Sequence, residues 1–197
     1  MATSAEHPIR ERAAWCVSFL GLLWMVELAN VLEGHHFHTW GILPRTREGL
    51  RGVVFGPFLH VSPEHLALNS VPLAVLSWLV LTHGTRSFVR VTLMVMLIGG
   101  LGVWAFGRPE YHVGASGLVL GYFGFLVADA FYRRSWTSFF VAALTVLLYG
   151  GLVFSVLPGQ PDVSWESHLA GLVGGVAAAW AGAESRAPAG SKGGRIA

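Results

Sequence analysis

The chain has 197 residues, 53% of them hydrophobic and only 12% charged, with a formal net charge of +2. Water-soluble domains carry about 25% charged residues, so a chain this apolar needs lipid as its solvent. The positive balance is too small to suggest a nucleic-acid partner, and the lone Cys16 excludes an intrachain disulfide.

Residues 1–12 are polar, contain Arg10 and Arg12, and read as an N-terminal tail. An apolar run over 13–32 follows, long enough at ~1.5 Å per residue to cross a ~30 Å hydrocarbon core. It is long for a signal peptide, carries Glu27 and lacks a small-residue cleavage site, so it reads as a retained helix. The sequence names no partner for Glu27. The longest connection, 33–57, mixes His35, His36, His38, Trp40 and arginines with Phe37, Ile42 and Leu43. That mixture suits the headgroup zone, and the histidine spacing matches no zinc motif, so no metal site is expected.

Five more spans are expected, over 63–81, 88–106, 113–131, 139–157 and 167–183, with short links that make neighbours antiparallel. Asp129 pairs with Arg133 at i, i+4, and Arg90 snorkels to the interface. The tail 184–197 is rich in glycine, alanine and serine and reads as flexible. The fold class is all-α: a polytopic membrane protein with a six-helix transmembrane bundle over 13–183.

Charge sets the orientation. Arg10, Arg12, Arg86, Arg90, Arg133, Arg134, Arg186, Lys192 and Arg195 fall on one side of such a bundle. Arg45, Arg47, Arg51 and Arg108 fall on the other, among Glu33, Glu48, Glu64, Glu110, Asp162 and Glu166. The basic excess puts both termini in the cytoplasm of a cell membrane. The second, fourth and sixth spans then all start at the outer face. His65 and Asn69, Ser116, and His168 lie in the first turns of those spans, so topology brings them to one depth.

Small residues allow close approach. Gly117, Gly121 and Gly124 recur at i, i+4, i+7, while His168, Gly171 and Gly175 recur at i, i+3, i+7. Ser116 is then the candidate nucleophile and His168 its general base. Asn69, His65, the Ser116 N–H and the Gly114 N–H are candidate donors to an oxyanion. Glu166, two residues before His168, is on the wrong side of a helix to orient it, so a dyad fits better than a triad.

In order, Phe58-Leu59-His60, His65-x-x-x-Asn69, Gly114-Ala115-Ser116-Gly117 and His168-x-x-Gly171 resemble the motifs of the rhomboid intramembrane serine proteases. The resemblance runs from Val53 to Ala179. It implies a Ser116–His168 dyad that cleaves transmembrane segments of protein substrates near the outer surface of the bilayer, without a cofactor. It implies oxyanion roles for His65 and Asn69 and a structural role for His60, beside the structural roles that spacing gives Gly117, Gly121, Gly171 and Gly175. Two departures stand out: Leu50-Arg51-Gly52 replaces a common Trp-Arg loop motif, which leaves the loop's anchoring open. Leu120 replaces a tyrosine that packs on the catalytic imidazole, with Tyr122 two residues on. The alternative from another class is a rhomboid-like pseudoprotease that holds client helices; such members lack the serine or the histidine, and this chain keeps both.

Overall fold

The structure, a computed structural model, describes residues 6–159 and 163–185. Most of the tail expected to be flexible, 186–197, and the link 160–162 lie outside the described residues.

Helix α1 (Glu6–Leu32) starts within the polar segment, ahead of the apolar run. Short turns at His36–Trp40, Glu48–Arg51, Gly52–Phe55 and Gly56–Phe58 then lead to α2 (Pro63–Leu81). Next come α3 (Thr85–Phe106), with a π-helical stretch at Val95–Gly99, and α4 (Ser116–Arg133). Helix α5 (Trp136–Tyr149) runs on as a 3-10 segment, Gly150–Val156, and α6 (Trp165–Glu184) follows.

Caps fix the helix starts that matter. Ser62 Oγ accepts the His65 N–H at 3.2 Å with Pro63 in the first turn, which sets the start of α2. Ser164 Oγ accepts the Ser167 N–H at 3.2 Å, so α6 begins at Trp165 rather than at the expected 167. Helix α4 begins at Ser116, not at 113. Gly114 sits at φ +117° and gives its N–H to the Gly56 carbonyl at 3.0 Å, while His112 forms an antiparallel bridge with Ile42. These bonds hold 112–114 out of the helix.

Four helices are long and apolar enough to cross a membrane: Pro8–Leu32, Pro63–Leu81, Thr85–Phe106 and Trp136–Val156. Length and hydropathy therefore support four of the expected spans. Helices α4 and α6 fall outside that set because charge, glycine and alanine dilute their apolar content. They are nonetheless the centre of the bundle. Gly171 of α6 faces the Gly117 backbone, where an added Cβ would lie 2.8 Å from the Gly117 carbonyl carbon. A Cβ at Gly175 would lie 2.7 Å from the Gly121 carbonyl carbon, and one at Gly124 would lie 2.7 Å from the Leu172 oxygen. Backbone meets backbone along this seam, which only small residues permit. Around it Leu23, Leu66, Leu76, Leu118, Tyr122 and Phe125 are fully buried.

At the far end of α4, Asp129 pairs with Arg133 as expected, and His83 Nε2 joins the same carboxylate at 3.0 Å. The Arg90 guanidinium lies beside Gly182, near the C-terminal end of α6.

Candidate active site

A cleft of ≈ 650 Å³ opens at the end of the bundle where α2, α4 and α6 begin. His65, Asn69, Ser116, Leu120, Ser155 and His168 line it. The four polar residues singled out in the sequence thus share one cavity. Each is carried by a rigid helix start, and the glycine seam holds two of those starts together.

His168 is mostly buried, and its Nδ1 lies 3.1 Å from the Ser155 carbonyl oxygen. A carbonyl can only accept, so Nδ1 carries the proton and Nε2 keeps its lone pair. Among the described residues no hydrogen bond yet joins Ser116 to the imidazole; such bonds often tighten only with substrate. Glu166 does not orient His168. Its carboxylate takes Arg108 Nε at 2.7 Å and the Arg108 N–H at 3.2 Å. Arg108 Nη2 also donates to the Val163 carbonyl at 2.9 Å, and His112 Nδ1 lies 2.6 Å from Ser164 Oγ. This clasp ties the segment before Ser116 to the start of α6.

Donors can be assigned one by one. Asn69 Nδ2 gives one hydrogen to the His65 carbonyl at 3.0 Å and keeps a second. Gly114 is corrected here: its N–H is taken by Gly56 and is not free for an oxyanion. The Ala115 N–H is taken too, by His60 Nε2 at 3.2 Å. Ala115 occupies the N-cap of α4 and its side chain cannot cap, so among the described residues the first-turn N–H groups, Ser116 among them, have no side-chain capping acceptor. His65 packs edge-on against His60 with centroids 5.1 Å apart. Its ring also faces Gly114, where a Cβ would sit 2.8 Å from Cε1. Glycine is needed there twice over, for its positive φ and for this contact.

His60 is fully buried. Burial first, and the charge on His65 second, push its pKa down from 6.5 to about 3. It stays neutral and serves as an acceptor for the loop.

The loop that lacks the Trp-Arg motif is tied down by other contacts. Arg45 Nη1 donates to the Ala105 and Gly107 carbonyls at 3.3 and 2.9 Å, and Trp104 Nε1 donates to the Thr46 carbonyl at 2.7 Å. Arg51 lies 4.8 Å over the Trp40 ring. Leu120 is buried at the cleft wall, while Tyr122 points away from it and its hydroxyl lies 2.7 Å from Thr92 Oγ1.

Residues 47–185 match the model of the Rhomboid domain. The chain belongs to the rhomboid family. An uncharacterised protein of Mycobacterium tuberculosis (strain ATCC 25618 / H37Rv) is 38% identical over 186 residues, covering 86% of this chain and 77% of that protein. One from Mycobacterium bovis matches to the same extent. A third, from Mycobacterium leprae (strain TN), is 36% identical over 191 residues, covering 89% of this chain and 75% of that protein. Rhomboid membership and the apolar helices make this a membrane protein of a family that generally comprises intramembrane serine proteases.

Proposed function

We propose that this rhomboid is a six-span intramembrane serine endopeptidase of the cell membrane. Its termini are cytoplasmic and its cleft faces outward. Its substrates are transmembrane segments of other membrane proteins, presented in the bilayer. The observation that carries this reading is the single cleft shared by Ser116, His168, Asn69 and His65, with His168 Nδ1 already tied to a carbonyl.

His168 Nε2 removes the Ser116 proton as Oγ attacks the scissile carbonyl carbon. The negative charge forming on the carbonyl oxygen is met by the Asn69 side-chain N–H, the Ser116 N–H and His65. The imidazolium returns its proton to the leaving amine, and the C–N bond breaks to leave an acyl-enzyme on Ser116. Water, deprotonated by His168, attacks the ester; the C–Oγ bond breaks, the imidazolium returns its proton to Ser116 Oγ, and the carboxylic product leaves. Helices α4 and α6 count as spans here because their polar and small residues face each other within the bundle, away from lipid.

The test is cleavage of a single-span membrane protein co-reconstituted in liposomes. Ser116→Ala and His168→Ala should each abolish product, with both variants folded. Wild-type product levels in either variant contradict the reading, and no cleavage of any substrate by the wild type moves the client-binding alternative forward.

A further inference from the structure

We infer that Glu27 and Asn30, on α1, are positioning residues for the nucleophile. This rests on the protease reading, but its structural half can be tested without it. Glu27 is 2% and Asn30 1% exposed, within a helix otherwise apolar over this stretch. Burying two such groups is costly unless they are bonded to something that needs holding.

The bonds form one path. Asn30 Nδ2 donates to Glu27 Oε2 at 3.2 Å and to the His60 carbonyl at 3.0 Å. Asn30 Oδ1 accepts the Phe37 N–H at 3.1 Å. Both amide hydrogens and the oxygen are therefore used, and a flipped amide would set N–H against N–H at Phe37. Phe37, near the start of the chain between α1 and α2, and His60, near its end, are pinned to a single side chain. His60 in turn accepts the Ala115 N–H through Nε2 at 3.2 Å, one residue before Ser116. Its ring packs on His65, whose own ring faces Gly114.

Glu27 has a second role in this path. Its Oε1 is buried and has no hydrogen-bond partner among the described residues, where the carboxyl's one bond is to the Asn30 amide. That bond orients the amide so that the other Nδ2 hydrogen meets His60. Helix α1 lies before the 47–185 domain match, yet this path makes it part of the scaffold beneath the serine.

The experiment combines two readouts on Asn30→Ala, Glu27→Leu and Glu27→Gln, each in detergent below its own unfolding temperature. The first is amide exchange in the peptide spanning 113–118. The second is the concentration dependence of fluorophosphonate labelling, which separates probe affinity from maximal rate. Asn30→Ala and Glu27→Leu should exchange faster at Ala115 and lose about tenfold or more in maximal labelling rate, with affinity unchanged. Glu27→Gln keeps an acceptor for Asn30 and should stay within about threefold of wild type. Unchanged exchange in a folded Asn30→Ala or Glu27→Leu protein overturns the inference. So does a loss in affinity with the maximal rate intact. A wild-type protein that takes no label defeats the protease reading instead, and exchange then decides this inference alone.

Discussion

His168 Nδ1 donates to the main-chain carbonyl of Ser155 at 3.1 Å, from the 3-10 segment that ends α5. In a triad a carboxylate fixes the tautomer of the histidine; the tautomer of His168 is fixed by a backbone carbonyl. Because the acceptor is the carbonyl, the Ser155 side chain takes no part in this bond; its hydroxyl donates to the Leu152 carbonyl instead, at 2.6 Å. Ser155→Ala should keep proteolytic activity within about threefold of wild type. The ¹⁵N spectrum of the substrate-free protein should show His168 protonated at Nδ1. A tenfold or larger loss in Ser155→Ala would move the orienting role to the hydroxyl.

The seam between α4 and α6 predicts a sharp contrast among glycines. Gly171→Ala pushes a methyl into the Gly117 backbone, and neither backbone can yield. We expect a loss of roughly 1–3 kcal/mol, read as a lower Tm, with activity lost as Ser116 and His168 separate. Gly21→Ala meets nothing within 4 Å among the described residues and replaces glycine inside a helix, so its Tm should hold or rise. Equal Tm values for Gly171→Ala and wild type would contradict this packing.

The Arg108–Glu166 contact holds the segment before Ser116 against the start of α6. Glu166→Gln keeps acceptor oxygen but weakens the charged bond, and Arg108→Ala removes every arm of the clasp that its side chain supplies. Proteolysis should fall severalfold in Arg108→Ala and less in Glu166→Gln. Arg108→Ala at full activity would show that the clasp is not needed to hold the loop.

His60 predicts an acid-side loss of stability. Its folded pKa, about 3, lies below its ordinary value of 6.5. Between those values the unfolded chain holds a proton that the folded chain does not, so stability rises with pH across that window. It is complete above about pH 6.5 and declines by up to ~1.4 kcal/mol per unit as pH falls towards 3. Thermal melts across this range should show a shallower acid-side decline in His60→Asn, even from a lower starting point. Parallel declines would mean that another group titrates.

Much of this arrangement is legible in the order and spacing of the residues. Apolar runs locate the helices, and alternation of direction puts His65, Asn69, Ser116 and His168 at one end, where a single cleft holds them. The small-residue spacing of α4 and α6 marks the seam. What the sequence hides are bonds to backbone and bonds across long separations. Any residue can supply the Ser155 carbonyl, so no side chain marks it. Arg108 and Glu166 are 58 positions apart, with no periodicity to pair them. Gly114 reads as a donor in the sequence because its N–H obligation to Gly56 depends on tertiary contact. Glu27 reads as unpaired, yet Asn30 stands three residues on, on the same helix face, and that spacing is a readable signal. The start of α6 is readable too, since Ser164 is a good N-cap residue.

The Ser116–His168 dyad stands or falls on where a fluorophosphonate bonds to the detergent-solubilised protein. Such probes phosphonylate only serines whose hydroxyl a base has activated. Peptide mapping should find the adduct on Ser116 alone and none in His168→Ala. Asn69→Ala should slow its formation by roughly one to three decades through loss of an oxyanion donor. An adduct on another serine, or folded protein that takes no label at Ser116, would contradict the dyad.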